Sequence, residues 1–445
     1  MEKYKINSVD DLTPELVNAL IKRFKLKEVA RLNKLFRYYK GEQDILKRSR
    51  AGDKPNNRIN NPWARFISNT AMSYFIGNPI SYQSANDQLM EVLQDIFDNN
   101  NEQSENMKLA RDASVGGIAY ELLYIDEEGN IKFDVLNANE CFMVYDSTIK
   151  GNVLAGVRFY ETYDYVTEES QMFVEVYTSD SIHYYKQDED LLKLINEQPH
   201  YFKSVPMIPY YNNLEMLGDA EPVLTLIDAY DVLQSDSVNN LEEVANSYLF
   251  IKGVELTKEV AEAMKSNRMI NVDGQDAQNA DAKWLVRESE PAEVETLKVR
   301  TVDDMHRLSG VPDLSAQRFS GSESSGAALR YKIMNLENMA SNKERYFKHS
   351  LERRLKLICN FLNVKGHSFD YNDVSMQFTR NLAADVEGLA NIAKELKGIV
   401  SDKTLLSILP FIEDVEFELE LLRQQNEGSL DDYGQVFDKN DENIE

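Results

Sequence analysis

The sequence predicts an α+β protein in which helices and strands are largely segregated. Two observations carry this. Apolar residues recur at three- and four-residue spacings over long stretches that lack proline, between Pro222 and Pro291 and between Pro312 and Pro410. Short runs rich in Val, Tyr and Phe, separated by turn residues, cluster between 118 and 186. A chain of 445 residues holds about three domains' worth of material, enough for sizeable cores.

Taken in order, residues 1–60 read as helical and locally basic. Val17, Leu20, Ile21, Phe24, Val29, Leu32, Leu35 and Phe36 form an apolar stripe that ends at Gly41. The polar stretch from Gly52 to Asn61, with Pro55 and paired asparagines, is a turn region. Pro62 opens a second helix through Trp63, Phe66, Ile67 and Phe75. Ile118–Ile125 and Ile131–Leu136 flank Asp126-Glu127-Glu128-Gly129-Asn130 as a β-hairpin, and strands follow at 153–160, 172–178 and 181–186.

Beyond Pro222 one stripe from Val223 to Tyr248 predicts a helix about 40 Å long. A small insertion follows, with strands at 249–254, 268–273 and 282–287 and a helix at 257–266. Pro291 opens another helix, which breaks at Ser309-Gly310-Val311-Pro312. Residues 313–326, rich in serine and glycine, read as a flexible loop. A helix of ~36 residues, about 55 Å, follows, and 383–426 is helical again. The acidic tail after Gly428 has too few core residues to fold and is expected to be disordered.

Composition excludes several classes. No stretch approaches the ~18 uninterrupted apolar residues of a membrane helix. The first residues lack a secretory leader's apolar core, and the only cysteines are Cys141 and Cys359, so no disulfide framework is expected. With 49 basic against 75 acidic side chains the net charge is −26, which argues against general attraction to nucleic acid.

Catalytic signatures are missing. The sequence has no phosphate-cradling Gly-x-x-x-x-Gly-Lys-Ser/Thr, no Gly-x-Gly-x-x-Gly, no His-Glu-x-x-His and no Gly-x-Ser-x-Gly. Five scattered histidines lack metal-ligand spacing. Gly116-Gly117 before a strand reads as a turn or close-packing site, Asp126-Glu127-Glu128 as a solvated hairpin tip, and Asp303-Asp304 near His306 as a solvated helix face. No catalytic residue, metal or cofactor is expected.

Three segments near the amino terminus resemble the signature of portal proteins of long-tailed double-stranded DNA phages. They are Tyr38-Tyr39-Lys40-Gly41-Glu42-Gln43-Asp44-Ile45, Lys54-Pro55-Asn56-Asn57-Arg58, and Phe75-Ile76-Gly77-Asn78-Pro79-Ile80-Ser81-Tyr82. The run Leu226-Ile227-Asp228-Ala229-Tyr230-Asp231, with Ser235-Asp236 and Asn239-Asn240, resembles the start of that family's first stem helix. Ser309-Gly310-Val311-Pro312-Asp313 and Ser324-Ser325-Gly326-Ala327-Ala328-Leu329-Arg330-Tyr331-Lys332 resemble its tunnel-loop junction. Each motif alone is weak, but all occur in the family's order across residues 35–425.

The resemblance implies a portal fold: a mixed α/β wing at 1–218, a first stem helix at 219–248, a small α/β clip at 249–290 and a second stem helix at 291–308. A tunnel loop would occupy 309–326, the long wing helix and following strands 327–380, helical crown 381–426 and an acidic tail 427–445. It further implies a homo-oligomeric ring of about twelve subunits at one capsid vertex, in the virion, assembled in the host cytoplasm and away from membranes. Double-stranded DNA would pass through without sequence specificity. Expected protein partners are the terminase large subunit, scaffold, major capsid protein and a head-completion or adaptor protein. Gln317, Arg318, Phe319, Ser322 and Glu323 are expected to meet DNA, and Glu255, Lys258, Glu262, Lys265 and Arg268 to meet a partner at the clip. Two alternatives stay open at this point: another oligomeric head-completion or capsid component, and a metal-dependent nucleic-acid enzyme.

Overall fold

The computed structural model describes residues 3–51, 54–245, 248–252, 281–285, 291–313, 326–381, 393–407 and 418–423, with single positions at 258, 262, 409, 412 and 415. The chain forms two compact units, residues 1–321 with 331–380, and residues 322–330 with 381–445. It is α+β, as expected.

In the first unit, β1 (Tyr4–Ile6) precedes α1 (Pro14–Phe24). Thr13 caps α1 by accepting the Leu16 N–H at 3.3 Å, and Pro14 fills the first turn, where its missing N–H costs nothing. A π-helical turn, Lys25–Val29, joins α1 to α2 (Ala30–Lys40), which stops at Gly41 in the left-handed region, φ 87°. Next come α3 (Trp63–Ile76), β2 (Ser81–Ser84), α4 (Asp87–Asn100) and α5 (Glu102–Gly116). The strand-rich part holds β3 (Ile118–Ile125), β4 (Ile131–Leu136), β5 (Cys141–Asp146), β6 (Val153–Asp164), β7 (Glu169–Tyr177), β8 (Ser181–Asp188), β9 (Leu191–Pro199) and β10 (Met207–Tyr211).

A six-stranded sheet runs β1-β5-β6-β7-β8-β9, with β1 parallel to β5 and the other pairs antiparallel. Alternate residues of its strands, including Phe142, Val157, Phe159, Val174 and Val176, meet Val17, Ile21 and Phe24 of α1 in one core. The Phe24 ring lies 5.2 Å from Phe142 and 5.9 Å from Phe159. A second sheet, β10-β3-β4, contains the expected hairpin with the expected bounds. At its tip Asp126 accepts the Asn130 N–H (2.7 Å) and Gly129 takes φ 83°. Gly117, at φ 84°, closes α5 where an added Cβ would meet the Met216 carbonyl oxygen at 2.1 Å, so it is a close-packing glycine.

The remaining elements are α6 (Leu224–Ala245), β11 (Tyr248–Lys252), β12 (Asp281–Leu285), α7 (Pro291–Ser309), α8 (Gly326–Val364) and β13 (Val374–Gln377), which pairs with β2. In the second unit, α9 (Asp402–Ser407) is capped by Ser401, whose hydroxyl accepts the Thr404 N–H at 3.3 Å.

Three expectations need correction. Residues 1–60 are not all helical outside the turn region read at 52–61: β1 adds to the edge of β5, and within that turn region Asn57, Ile59 and Asn61 are bonded to α6. The helix read to Tyr248 ends at Ala245, because Tyr248-Leu249-Phe250-Ile251 is a β-favouring run that pairs with β12. The strand β9 went unanticipated: it is exposed at every position but Leu192 and so lacks a buried alternating face. The strand expected at 268–273 and the tail after Gly428 lie outside the described residues.

Candidate functional site: the paired helices and their polar anchor

α6 has 22 residues and α7 has 19, about 33 and 28 Å of helix. They pack against each other, and β11 and β12 between them pair antiparallel, with Tyr248 opposite Leu285 and Lys252 opposite Asp281. The chain therefore leaves the body along α6, turns through a small sheet and returns along α7. Several large apolar side chains of this pair stay exposed: Val232, Leu241, Leu297, Val299 and Leu308.

Beginning with Val223 in the turn just before it, the buried face of α6 repeats every four residues: Val223, Ile227, Asp231, Ser235, Asn239. Its first members are apolar and its last three polar, all three fully buried. Each polar member takes one backbone N–H of the extended segment: Asn61 to Asp231 Oδ1 (2.9 Å), Ile59 to the Ser235 hydroxyl (2.9 Å) and Asn57 to Asn239 Oδ1 (2.8 Å). The side-chain Nδ2 groups of Asn61 and Asn57 donate to the same oxygens, each at 3.0 Å. Physical spacing explains the match. Two residues of extended chain span about 6.6 Å and four residues of helix about 6.0 Å, so donors and acceptors stay in register over three rungs.

Charged contacts flank this zipper. Asp236 Oδ1 accepts from Arg48 Nη2 (2.6 Å) and from Arg50 Nη2. Tyr38 donates its hydroxyl to Asp228 (2.5 Å), and burial followed by the Asp228 bond pushes the phenol well above its ordinary range. Arg31 grips Glu221, just ahead of α6, through Nε (2.6 Å) and Nη2 (2.5 Å). Asp231 Oδ2 is buried without a donor, and burial pushes this carboxyl up to about 6 against the two Asn61 bonds.

Where α3, α6 and α7 converge, the Trp63 ring meets His306 edge-on at 5.3 Å and Tyr230 at 6.2 Å, and Phe66 meets His306 at 6.0 Å. His306 Nδ1 donates to the Val311 carbonyl at 2.9 Å. The histidine thus ties the residues just after α7 back to the helix, and Asp304 lies 3.8 Å from Arg307 on its own helix.

The buried stripe of α8 includes two cations. Lys343 Nζ donates to Asp219 (2.6 Å), Asn212 (2.6 Å) and Ser114 (2.7 Å). Arg354, stacked 4.6 Å over Phe133, reaches Glu121 through Nε (2.9 Å) and Nη2 (2.5 Å) and Glu102 through Nη1 (3.0 Å). Burial pushes the Glu102 carboxyl up, against the Arg354 charge and the bonds from Tyr82 and Asn106.

Of the residues picked from sequence, Lys258 and Glu262 are exposed helical positions. Glu255, Lys265, Arg268, Gln317, Arg318, Phe319, Ser322 and Glu323 lie outside the described residues. No group of three or more His, Cys, Asp or Glu suited to a metal occurs among the described residues, and none of their helices is long and apolar enough to cross a membrane. Sequence reasoning missed the zipper and the α8 cations as partners. The available signals were the four-residue spacing of Asp231, Ser235 and Asn239, and basic residues inside an apolar stripe.

Two of the three motifs noted near the amino terminus, 38–45 and 54–58, therefore meet the start of α6 in space as one anchor. The family model described as "Phage portal protein, SPP1 Gp6-like" matches residues 19–431, a span containing every part of it. The chain belongs to the phage portal protein family. It is 25% identical over 434 residues to a portal protein of Bacillus phage SPP1, covering 90% of this chain and 85% of that one. It is likewise 25% identical over 408 residues to a portal protein of Clostridium phage phiCD119, covering 85% and 89%. Portal proteins are structural components of the virion and not an enzyme family. In this portal-family chain, the geometry accordingly concerns how helices are held, not how bonds are broken.

Proposed function

We propose that this chain closes into a ring of about twelve copies at one capsid vertex and forms the conduit for genome packaging and ejection. The observation that carries the reading is a family match that spans the helix pair, its anchor and α8 together. In this reading α6 and α7 are the stem helices lining the channel, β11 and β12 belong to the clip, residues 1–218 form the wing, and 381–426 form the crown. The tunnel loop, 309–326, would present Gln317, Arg318, Phe319, Ser322 and Glu323 to DNA. The clip, with Glu255, Lys258, Glu262, Lys265 and Arg268, would dock the terminase large subunit and then the head-tail connector. Scaffold and major capsid protein would meet the body of the ring.

Physical chemistry supports the reading in two ways. With a net charge of −26 the chain as a whole repels phosphate, which suits a conduit in which duplex DNA slides instead of sticking. The apolar side chains left exposed on α6 and α7 need a neighbour, and a ring of identical copies supplies one through a heterologous, closing interface. The deciding experiment is native mass with electron-microscopic imaging of the purified protein. Twelve copies of 51.2 kDa give about 610 kDa and a central hole wide enough for duplex DNA. A stable monomer at every concentration, with or without DNA and scaffold, would sink the reading.

A further inference from the structure

Every residue from Glu161 to Ser170 is exposed, although β6 and β7 stay paired through them, from Glu161 opposite Met172 to Asp164 opposite Glu169. The flanking strands stop short: β5 pairs with β6 only as far as Arg158, and β8 with β7 only from Phe173. Residues 161–170 therefore form a two-stranded arm that carries the hairpin about 10 Å beyond the sheet. A bare ribbon of this kind is marginal in water by itself. This one is nonetheless held in shape. Asp164 Oδ1 accepts the N–H groups of Val166 (2.8 Å) and Thr167 (3.3 Å), and the Tyr163 and Tyr165 rings meet edge-on at 5.1 Å. Glu168 takes φ 57°, a left-handed conformation that residues other than glycine seldom adopt. The tip so fixed displays apolar surface: Tyr165 is 88% exposed and Val166 91%.

The arm is acidic as well. Residues 161–169 contain four acids and no base. At its root Glu161 lies 3.4 Å from Lys25, whereas Asp164, Glu168 and Glu169 make no ion pair among the described residues. One surface of the same chain has the opposite character. Residues 22–27, from the end of α1 into the π-helical turn, contain four bases and no acid. Leu26 stands among them 81% exposed, on the side of the helix away from the buried Phe24 and Glu28. We propose that the arm of one copy docks on the 22–27 face of a second copy, with Tyr165 and Val166 against Leu26 and the arm's carboxylates beside the cations of that face. The tyrosine ring faces attract the same cations through their quadrupoles. Arm and face are different surfaces, so the contact is head-to-tail, the kind that closes rings. The inference rests on the ring reading above and names two surfaces that meet in it.

Cross-linking between two kinds of chain tests it, because Cys141 and Cys359 are both buried. Val166→Cys and Leu26→Cys chains are mixed in dissociated form, left to assemble and treated with a short bis-maleimide. Native mass is measured on the same samples. Covalent dimers are expected in the mixture and not in either variant alone. Glu168→Lys with Glu169→Lys on the arm-bearing chain should lower their yield about five-fold at low ionic strength, where exposed charges still attract. Arg23→Glu with Lys27→Glu on the other chain should restore it. All these positions are exposed, and surface substitutions of this kind leave folding nearly unchanged. Assembled rings that give no such dimers overturn the inference and leave the ring reading standing. Dimers whose yield ignores both charge reversals overturn it too, since charge is what selects this face. A chain that stays single at every concentration overturns the ring reading and this contact with it.

Discussion

Asp231 carries a conflict that its neighbours only half resolve. One carboxylate oxygen holds two donors of Asn61, and the other is buried with none. Its pKa rises from 3.8 to about 6 because burial penalises the charge more than the Asn61 bonds repay it. The sign follows directly. Between those values the folded chain holds a proton that the unfolded chain has released, so this group's contribution to stability falls as pH rises through that window. Asp231→Asn keeps an oxygen for Asn61 and removes the titration. Relative to the parent, the variant should therefore gain about 1 kcal/mol between about pH 4 and about pH 7, less than the full shift implies because the polar surroundings screen the charge. Unfolding curves of both proteins across that range check it. A difference independent of pH would mean that Asp231 is ionised at the same pH folded and unfolded.

At the scale of elements, the extended segment 55–62 and α6 behave as one unit joined by three rungs. Removing a rung leaves a buried peptide N–H without an acceptor, which costs more than the bond's net worth. Asn239→Ala strips both donors of Asn57 of their partner and should cost about 1–3 kcal/mol. Amide hydrogen exchange reads it locally: faster exchange should appear first at Asn57, while Asn61, two rungs away on Asp231, stays protected. Simultaneous loss at all three amides would mean that the segment detaches as a whole. The contrast with the β3–β4 hairpin explains what the sequence makes legible. That hairpin is written in adjacent residues, two alternating runs around Asp126–Asn130, so periodicity alone locates it. The zipper joins two segments some 180 residues apart, and neither half has an unusual pattern by itself. Asn57 and Asn61 look like turn residues, and Ser235 like a tolerated polar residue in a helix. The π-helical turn at 25–29 is equally silent, because Lys25 to Val29 reads as ordinary helix. For the same reason Arg354 passes as surface charge until the fold places Glu102 and Glu121 around it. Local order is legible one segment at a time, whereas buried polar pairings need the tertiary structure.

For the whole molecule the question is what covers the α6–α7 pair. Leu241 is 70% exposed and Leu308 60%, near the far and near ends of the α6–α7 excursion. Apolar side chains at such exposure add little to the stability of a single chain, since burying them is what gains free energy. They matter only if a neighbouring copy removes them from water. Polar substitution should then separate assembly from folding. Leu241→Glu with Leu308→Glu should leave the circular dichroism and the thermal unfolding of the dissociated chain nearly unchanged. In the proposed ring of twelve, the same pair should drive the assembly from about 610 kDa toward the single-chain mass, because the two new carboxylates are desolvated in every copy. Intermediate masses would indicate rings that open before they dissociate. An unchanged assembly mass would place the inter-copy contact elsewhere on the chain and leave these leucines facing the proposed channel.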